Sequence, residues 1–139
     1  MNGKNEAQDY AQLIADEVRN LETVASGPDS DGYEAALAAL ELSPDDVWSD
    51  PIGAWMSDTA LDFSVKIDSR GIDHGWSVTV LRTTGGPHCE VVHDSNHGTH
   101  VEVVCYWGGD YGRVMLSARN LTAMLEEIAH SYGSIVTRV

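Results

Sequence analysis

The chain of 139 residues, 42% of them apolar, fits one domain that can bury a core without help from metal or disulfides. Asp and Glu number 22 against 8 Lys and Arg, and the net charge of −14 excludes a nucleic-acid binder of the ordinary basic kind. No apolar run reaches the length of a membrane span and the opening MNGKNEAQDY has no apolar signal core, so a cytoplasmic protein is expected.

Residues 6–25 predict an amphipathic helix, because Tyr10, Leu13, Ile14, Val18, Leu21 and Ala25 recur at helical spacing. Ser26-Gly27-Pro28 ends it with a glycine stop and a proline. A second helix is expected over 31–42, where Asp31 and Glu34 have capping-box spacing and Tyr33, Ala36, Leu37 and Leu40 form the apolar stripe. Ser43-Pro44 and Asp50-Pro51 read as two successive cap-then-proline starts of short helical turns. From Leu61 the period changes to 2. Phe63, Val65 and Ile67 alternate with Ser64 and Lys66, and Trp76, Val78 and Val80 alternate with Ser77 and Thr79. Thr84-Gly85-Gly86-Pro87 breaks that strand or makes a bulge. Residues 88–94 and 99–107 are two arms of a hairpin around Ser95-Asn96-His97-Gly98. Gly108-Gly109-Asp110 turns the chain into a further strand over 111–116. The last helix is expected over 118–132, capped by Ser117 and stopped by Gly133, with Leu121, Met124, Leu125, Ile128 and Tyr132 on its stripe. Residues 134–139 are a candidate edge strand.

This order gives an α+β fold: N-terminal helices, an antiparallel meander of four to five strands, and a C-terminal helix packed on the sheet. One domain spans 1–139, with an acidic helical part over 1–60 and the sheet plus C-terminal helix over 61–139.

Chemistry of the enzymatic kind finds little in this sequence. There is no nucleophile elbow, no HExxH and no phosphate-cradling loop. His88, His93, His97 and His100 cluster with Cys89, Asp94 and Glu102, which are chemically sensible metal ligands, but their spacing fits no zinc pattern. The hairpin also divides them. If Cys89, Val91, Val101, Val103 and Cys105 share the core face, then His88, Glu90, Asp94, His100 and Glu102 point outward. His93 then lies at the mouth of the apolar face and His97 in the turn. No metal, no cofactor and no catalytic residue is therefore expected. For Cys89 and Cys105, reduced core thiols are the plainer reading in a cytosolic compartment, and a cross-strand disulfide stays open.

The acids carry more information. Residues 1–62 hold 14 of them against Lys4 and Arg19, net −12, whereas residues 63–139 come to −2. Caps and helix dipoles explain some, Asp31 and Asp50 among them. The rest repel one another, and such a surface suits steering toward a basic partner. Trp48, Trp55 and Met56 sit among Asp45, Asp46, Asp50 and Asp58, as aromatic anchors in an acid rim or as core residues. The candidate partner-binding set is Asp16, Glu17, Asp45, Asp46, Trp48, Asp50, Trp55 and Asp58.

TGGPHCEVV at 84–92 and VEVVCYWGGD at 101–110 together carry a resemblance. With Gly85, Gly86 and Pro87 after one strand and Tyr106, Trp107, Gly108, Gly109 and Asp110 closing a later one, the C-terminal half resembles a loose group of small acidic proteins from phages, plasmids and integrated elements. That group includes inhibitors of host restriction and CRISPR nucleases, so the resemblance implies a counter-defence role in the host cytoplasm. The acidic helices fall outside the matching residues. The expectation that follows is a non-enzymatic acidic inhibitor that binds the basic surface of a nucleic-acid-handling complex, a CRISPR or restriction nuclease, and blocks its groove. It would touch no nucleic acid itself. The alternative is a general acidic protein-interaction module or regulatory subunit, with a metal-dependent enzyme behind both.

Overall fold

The computed structural model describes residues 5–42, 50–83 and 87–135, with side chains through Ser131. Strands β1 (Asp62–Ile67), β2 (Trp76–Thr83), β3 (His88–Asp94), β4 (His100–Trp107) and β5 (Asp110–Ser117) form an antiparallel sheet in the order β1-β2-β3-β4-β5. The meander follows from its turns. Between β4 and β5 only Gly108 and Gly109 intervene, at φ 57° and 89°, the two positive values that a tight two-residue hairpin requires. Alternation then puts Val78, Val80, Cys89, Val91, Val101, Val103 and Cys105 on one face, all essentially inaccessible. His88, Glu90, Glu102, Tyr106, Tyr111 and Arg113 alternate onto the other. The period-2 reading of the sequence therefore holds, and the α+β architecture is as expected.

Helices α1 (Glu6–Ala25), α2 (Tyr33–Ala39), α3 (Pro51–Thr59) and α4 (Arg119–Ile135) complete the fold. α1 lies along β4 and β5, while α4 packs mainly over β1 and β2. The bounds of α1 are those predicted, but its buried face is rotated. Ala7, Ala11, Ile14, Ala15, Val18, Leu21 and Val24 are buried, while Leu13 is 64% exposed. The cause is close approach. A Cβ on Gly112 of β5 would fall 2.4 Å from the Gln8 Cα, so α1 meets β5 backbone to backbone and only small residues fit between. Gln8 exploits that approach. Its side-chain amide accepts from Arg113 N–H at 3.0 Å and donates to Arg113 C=O at 3.1 Å, while Asn5 Nδ2 donates to Tyr111 C=O at 3.1 Å. These amides occupy the Tyr111 C=O and both backbone groups of Arg113 on the outer edge of β5.

Several helix ends differ from their predicted form. α2 starts after Gly32, in the left-handed region at φ 78°, with no side-chain cap, so Asp31 and Glu34 make no capping box. α3 starts as predicted, with Asp50 Oδ1 accepting from Gly53 N–H at 3.0 Å and Pro51 in the first turn. Ser117 does not cap α4, because it is paired with His100 in the sheet. The cap comes instead from α1. Glu22 accepts from the backbone N–H of Asn120 (2.9 Å) and Leu121 (2.7 Å) and from Asn120 Nδ2 (3.1 Å). Gly133 does not stop α4, which runs to Ile135, so Ser134 and Ile135 are helical and begin no edge strand. Residues 136–139 lie outside the described residues, as does the first of the two cap-then-proline turns.

Cys89 and Cys105 are joined in a disulfide, not held as separate thiols. They stand directly opposite in the β3–β4 register, with Cα atoms 4.2 Å apart, the narrow spacing of a non-hydrogen-bonded pair. Among the described residues no helix is long and apolar enough to cross a membrane.

Candidate partner-binding site

A cavity of about 690 Å³ lies where α1, α2 and α3 meet the end of β2. The bulge in β2 builds one wall. The register shifts between Leu81 and Thr83, so Arg82 and Thr83 together oppose Cys89 and both line the cavity. α1 contributes Tyr10, Leu13, Ile14, Glu17 and Leu21, α3 contributes Ala54, Trp55, Asp58 and Thr59, and Leu40, Glu41 and Leu42 close the α2 side.

One polar network holds this wall. Arg82 Nη2 donates to both Glu17 oxygens, at 2.7 and 2.9 Å, and Trp55 Nε1 donates to Glu17 Oε2 at 2.5 Å. Both members of the ion pair are about one-fifth exposed, so Glu17 is neutralised within the fold and its charge is spent there. Arg82 Nε is buried with no hydrogen-bond partner among the described residues. Trp55 is 6% exposed and belongs to the core cluster. It is thus a wall of the cavity and not an exposed anchor.

The predicted site residues divide accordingly. Asp16, Glu17, Trp55 and Asp58 come together around the cavity, and Asp50 stands just outside it as the cap of α3. Asp16 and Asp58 are exposed; Asp16 also pairs with Arg19 at 3.0 Å. Asp45, Asp46 and Trp48 lie outside the described residues. Sequence reasoning missed Arg82 and Glu41. Arg82 is the informative omission: it is a base that interrupts a β-strand next to a glycine-rich break, a signal that a bulge re-aims a side chain.

The histidines are split between faces, as the hairpin alternation requires. His93 is buried on the helix side against Trp76, ring centroids 5.3 Å apart, with Nδ1 bonded to His100 C=O at 2.8 Å. Desolvation lowers its pKa below the usual imidazole value, against the opposing influence of the His100 carbonyl and Asp94. His88 pairs with Glu90 (2.9 Å), and His97 with Asp94 (2.6 Å). Among the described residues no three His, Cys, Asp or Glu side chains converge on a metal-sized site. At the β1–β2 turn, hydrogen bonds from the Arg70 side chain and backbone lower the Asp68 pKa to about 2.

No family model matches this chain, no curated protein is detectably similar to it, and no solved structure matches its fold.

Proposed function

We propose that this protein is a non-enzymatic acidic inhibitor carried by a mobile element. It docks on the basic surface of a nucleic-acid-handling complex, of the CRISPR or restriction nuclease kind, and obstructs the groove in which nucleic acid runs. The reading is supported chiefly by exposure. Of the acids in the described part of the first 62 residues, Glu6, Asp9, Asp16, Asp29, Asp31, Glu34, Glu41, Asp50, Asp58 and Asp62 are exposed, against the single described base Arg19. Exposed charge of one sign acts on encounter rate and on the choice of partner. Asp16, Glu41 and Asp58 border the apolar cavity, so an acid rim surrounds a recess that an apolar side chain of the partner can enter.

The test is capture of a purified CRISPR or restriction nuclease, with target nucleic acid as competitor and salt as a variable. Glu41→Gln with Asp58→Asn should slow association and flatten its salt dependence, leaving the circular dichroism spectrum unchanged. Binding that ignores both salt and these two acids refutes groove occupation by charge. It would favour the alternative of a general acidic interaction module that works through its apolar recess.

A further inference from the structure

Four residues stand in one row across the sheet: Thr83 of β2, Cys89 of β3, Cys105 of β4 and Gly112 of β5. The disulfide occupies the middle of that row, and the two ends of the row differ. Beyond Cys105, α1 is seated on Gly112 so closely that a Cβ there would fall 2.4 Å from the Gln8 backbone nitrogen. Beyond Cys89, the bulge sets Arg82 and Thr83 into the wall of the cavity. The Thr83 hydroxyl donates to Pro87 C=O at 2.8 Å, and Arg82 is held by Glu17. Cys89 borders this cavity, whereas Cys105 is not among its described lining residues.

Neither cysteine is open to bulk solvent, with 1% of Cys89 and none of Cys105 accessible. A protein-sized reductant is therefore kept from both sulfurs, while a small molecule inside the cavity meets Cys89 first. Thiol–disulfide exchange is an in-line displacement through a mixed disulfide, so the attacking, attacked and leaving sulfurs lie close to one line. An attack on Cys89 arrives from the β2 side, over the bulge. An attack on Cys105 would have to arrive from the β5 side, through the backbone of α1.

We propose that Cys89 is a thiol-exchange site, entered through the cavity by a low-molecular-weight thiol that is neutral or cationic. The thiolate attacks Cys89 Sγ, and a new S–S bond forms there as the Cys89–Cys105 bond breaks. The electron pair passes to Cys105 Sγ, which takes a proton from solvent in place of the one the thiol released. No net oxidation occurs, and the adduct stays in the cavity. The charge preference comes from the rim, where Asp16, Glu41 and Asp58 repel an anionic thiol. This chemistry is independent of the proposed function.

The test uses the full chain oxidised with diamide, treated with excess cysteamine and quenched in acid while exchange is in progress. Peptide mapping should find the mixed disulfide on Cys89 about ten-fold more often than on Cys105 in the native chain, and on both about equally in urea. Thioglycolate, of similar size but anionic, should exchange about ten-fold more slowly at low salt, once each rate is divided by that thiol's rate with a small linear disulfide. Leu13 borders the cavity and is 64% exposed, so Leu13→Trp adds bulk at the entrance without entering the core. Circular dichroism verifies its fold, and its exchange should slow about ten-fold. An adduct that falls on Cys105 as often as on Cys89 in the native chain overturns the proposal. So does an exchange rate that does not rise with cysteamine concentration, since the sulfurs would then be met only after unfolding. A chain in which diamide forms no disulfide, or a Leu13→Trp protein that exchanges like wild type, overturns it equally. Equal normalised rates for the two thiols overturn the charge preference.

Discussion

Glu22→Ala should cost more than any other single acid in the helical layer, because this carboxylate supplies the start of a helix 98 residues away. It accepts three hydrogen bonds, two from backbone N–H groups in the first turn of α4. One of those belongs to Leu121, whose side chain is fully buried in the core. A lost N-cap costs about 0.5–2 kcal/mol. A buried donor stripped of a charged partner costs about 1–3 kcal/mol. The bonds share one carboxylate and the site is only part-buried, so water recovers some of this loss. The expected destabilisation is about 2–3 kcal/mol, or roughly 1–2 M in urea midpoint for a slope of about 1.5–2 kcal/mol/M. Glu22→Gln keeps an acceptor but loses the charge and should lose about half as much. Amide exchange at Asn120 and Leu121 should accelerate in both variants before global unfolding is felt elsewhere. A Glu22→Ala protein within about 0.5 kcal/mol of wild type would refute the reasoning, since that is the range of an ordinary surface change.

Gly112→Ala should destabilise by at least about 2 kcal/mol, because the new Cβ meets backbone atoms of Ala7 and Gln8 that cannot step aside individually; a urea midpoint equal to wild type would mean α1 does not touch β5 there. Stability should also fall as pH drops. The folded-state pKa of His93 is lowered by burial, so the unfolded chain binds the proton first; its contribution is complete above the ordinary value of 6.5 and is lost as pH falls from there toward the folded value. His93→Gln should remove that part of the slope in thermal melts taken between neutral and mildly acid pH, and an unchanged slope would place the proton uptake elsewhere.

Much of the fold was legible because burial on one face imposes a period, and both periods are visible in the chain. Val101, Val103 and Cys105 alternate so plainly that the core face of the hairpin could be named. Hydrophobicity alone misled in α1, where it favoured Leu13 over Ala7, Ala11 and Ala15. Small residues score weakly as core, yet they are required where a helix lies against a glycine of the sheet. Capping was legible only where the cap is local. Asp50 beside Pro51 announces α3, but Glu22 caps α4 across the fold, and nothing near Ser117 reports it. The cysteines stood in register once the hairpin was drawn. Weighting the compartment above the geometry is what favoured free thiols.

The acids of the first half can now be sorted by what already engages them. Glu17 is held by Arg82 and Trp55, Glu22 by α4, and Glu6 by the Trp107 ring nitrogen; Asp50 caps α3, and Asp16 pairs with Arg19. Structure accounts for these five, and their removal should read out as lost stability. Asp9, Asp29, Asp31, Glu34, Glu41, Asp58 and Asp62 remain, without an ion pair or side-chain hydrogen bond among the described residues. Among the described acids of the first half, these carry repulsion that no pairing in the fold offsets. Asp29, Asp31 and Glu34 surround the start of α2, and Glu41 and Asp58 border the cavity. If the protein steers itself to a basic surface, neutralising the α2 group should change encounter rate without changing stability, while neutralising Glu17 or Glu22 should do the reverse. That separation of rate from stability is what distinguishes a charge kept for a partner from a charge kept for the fold.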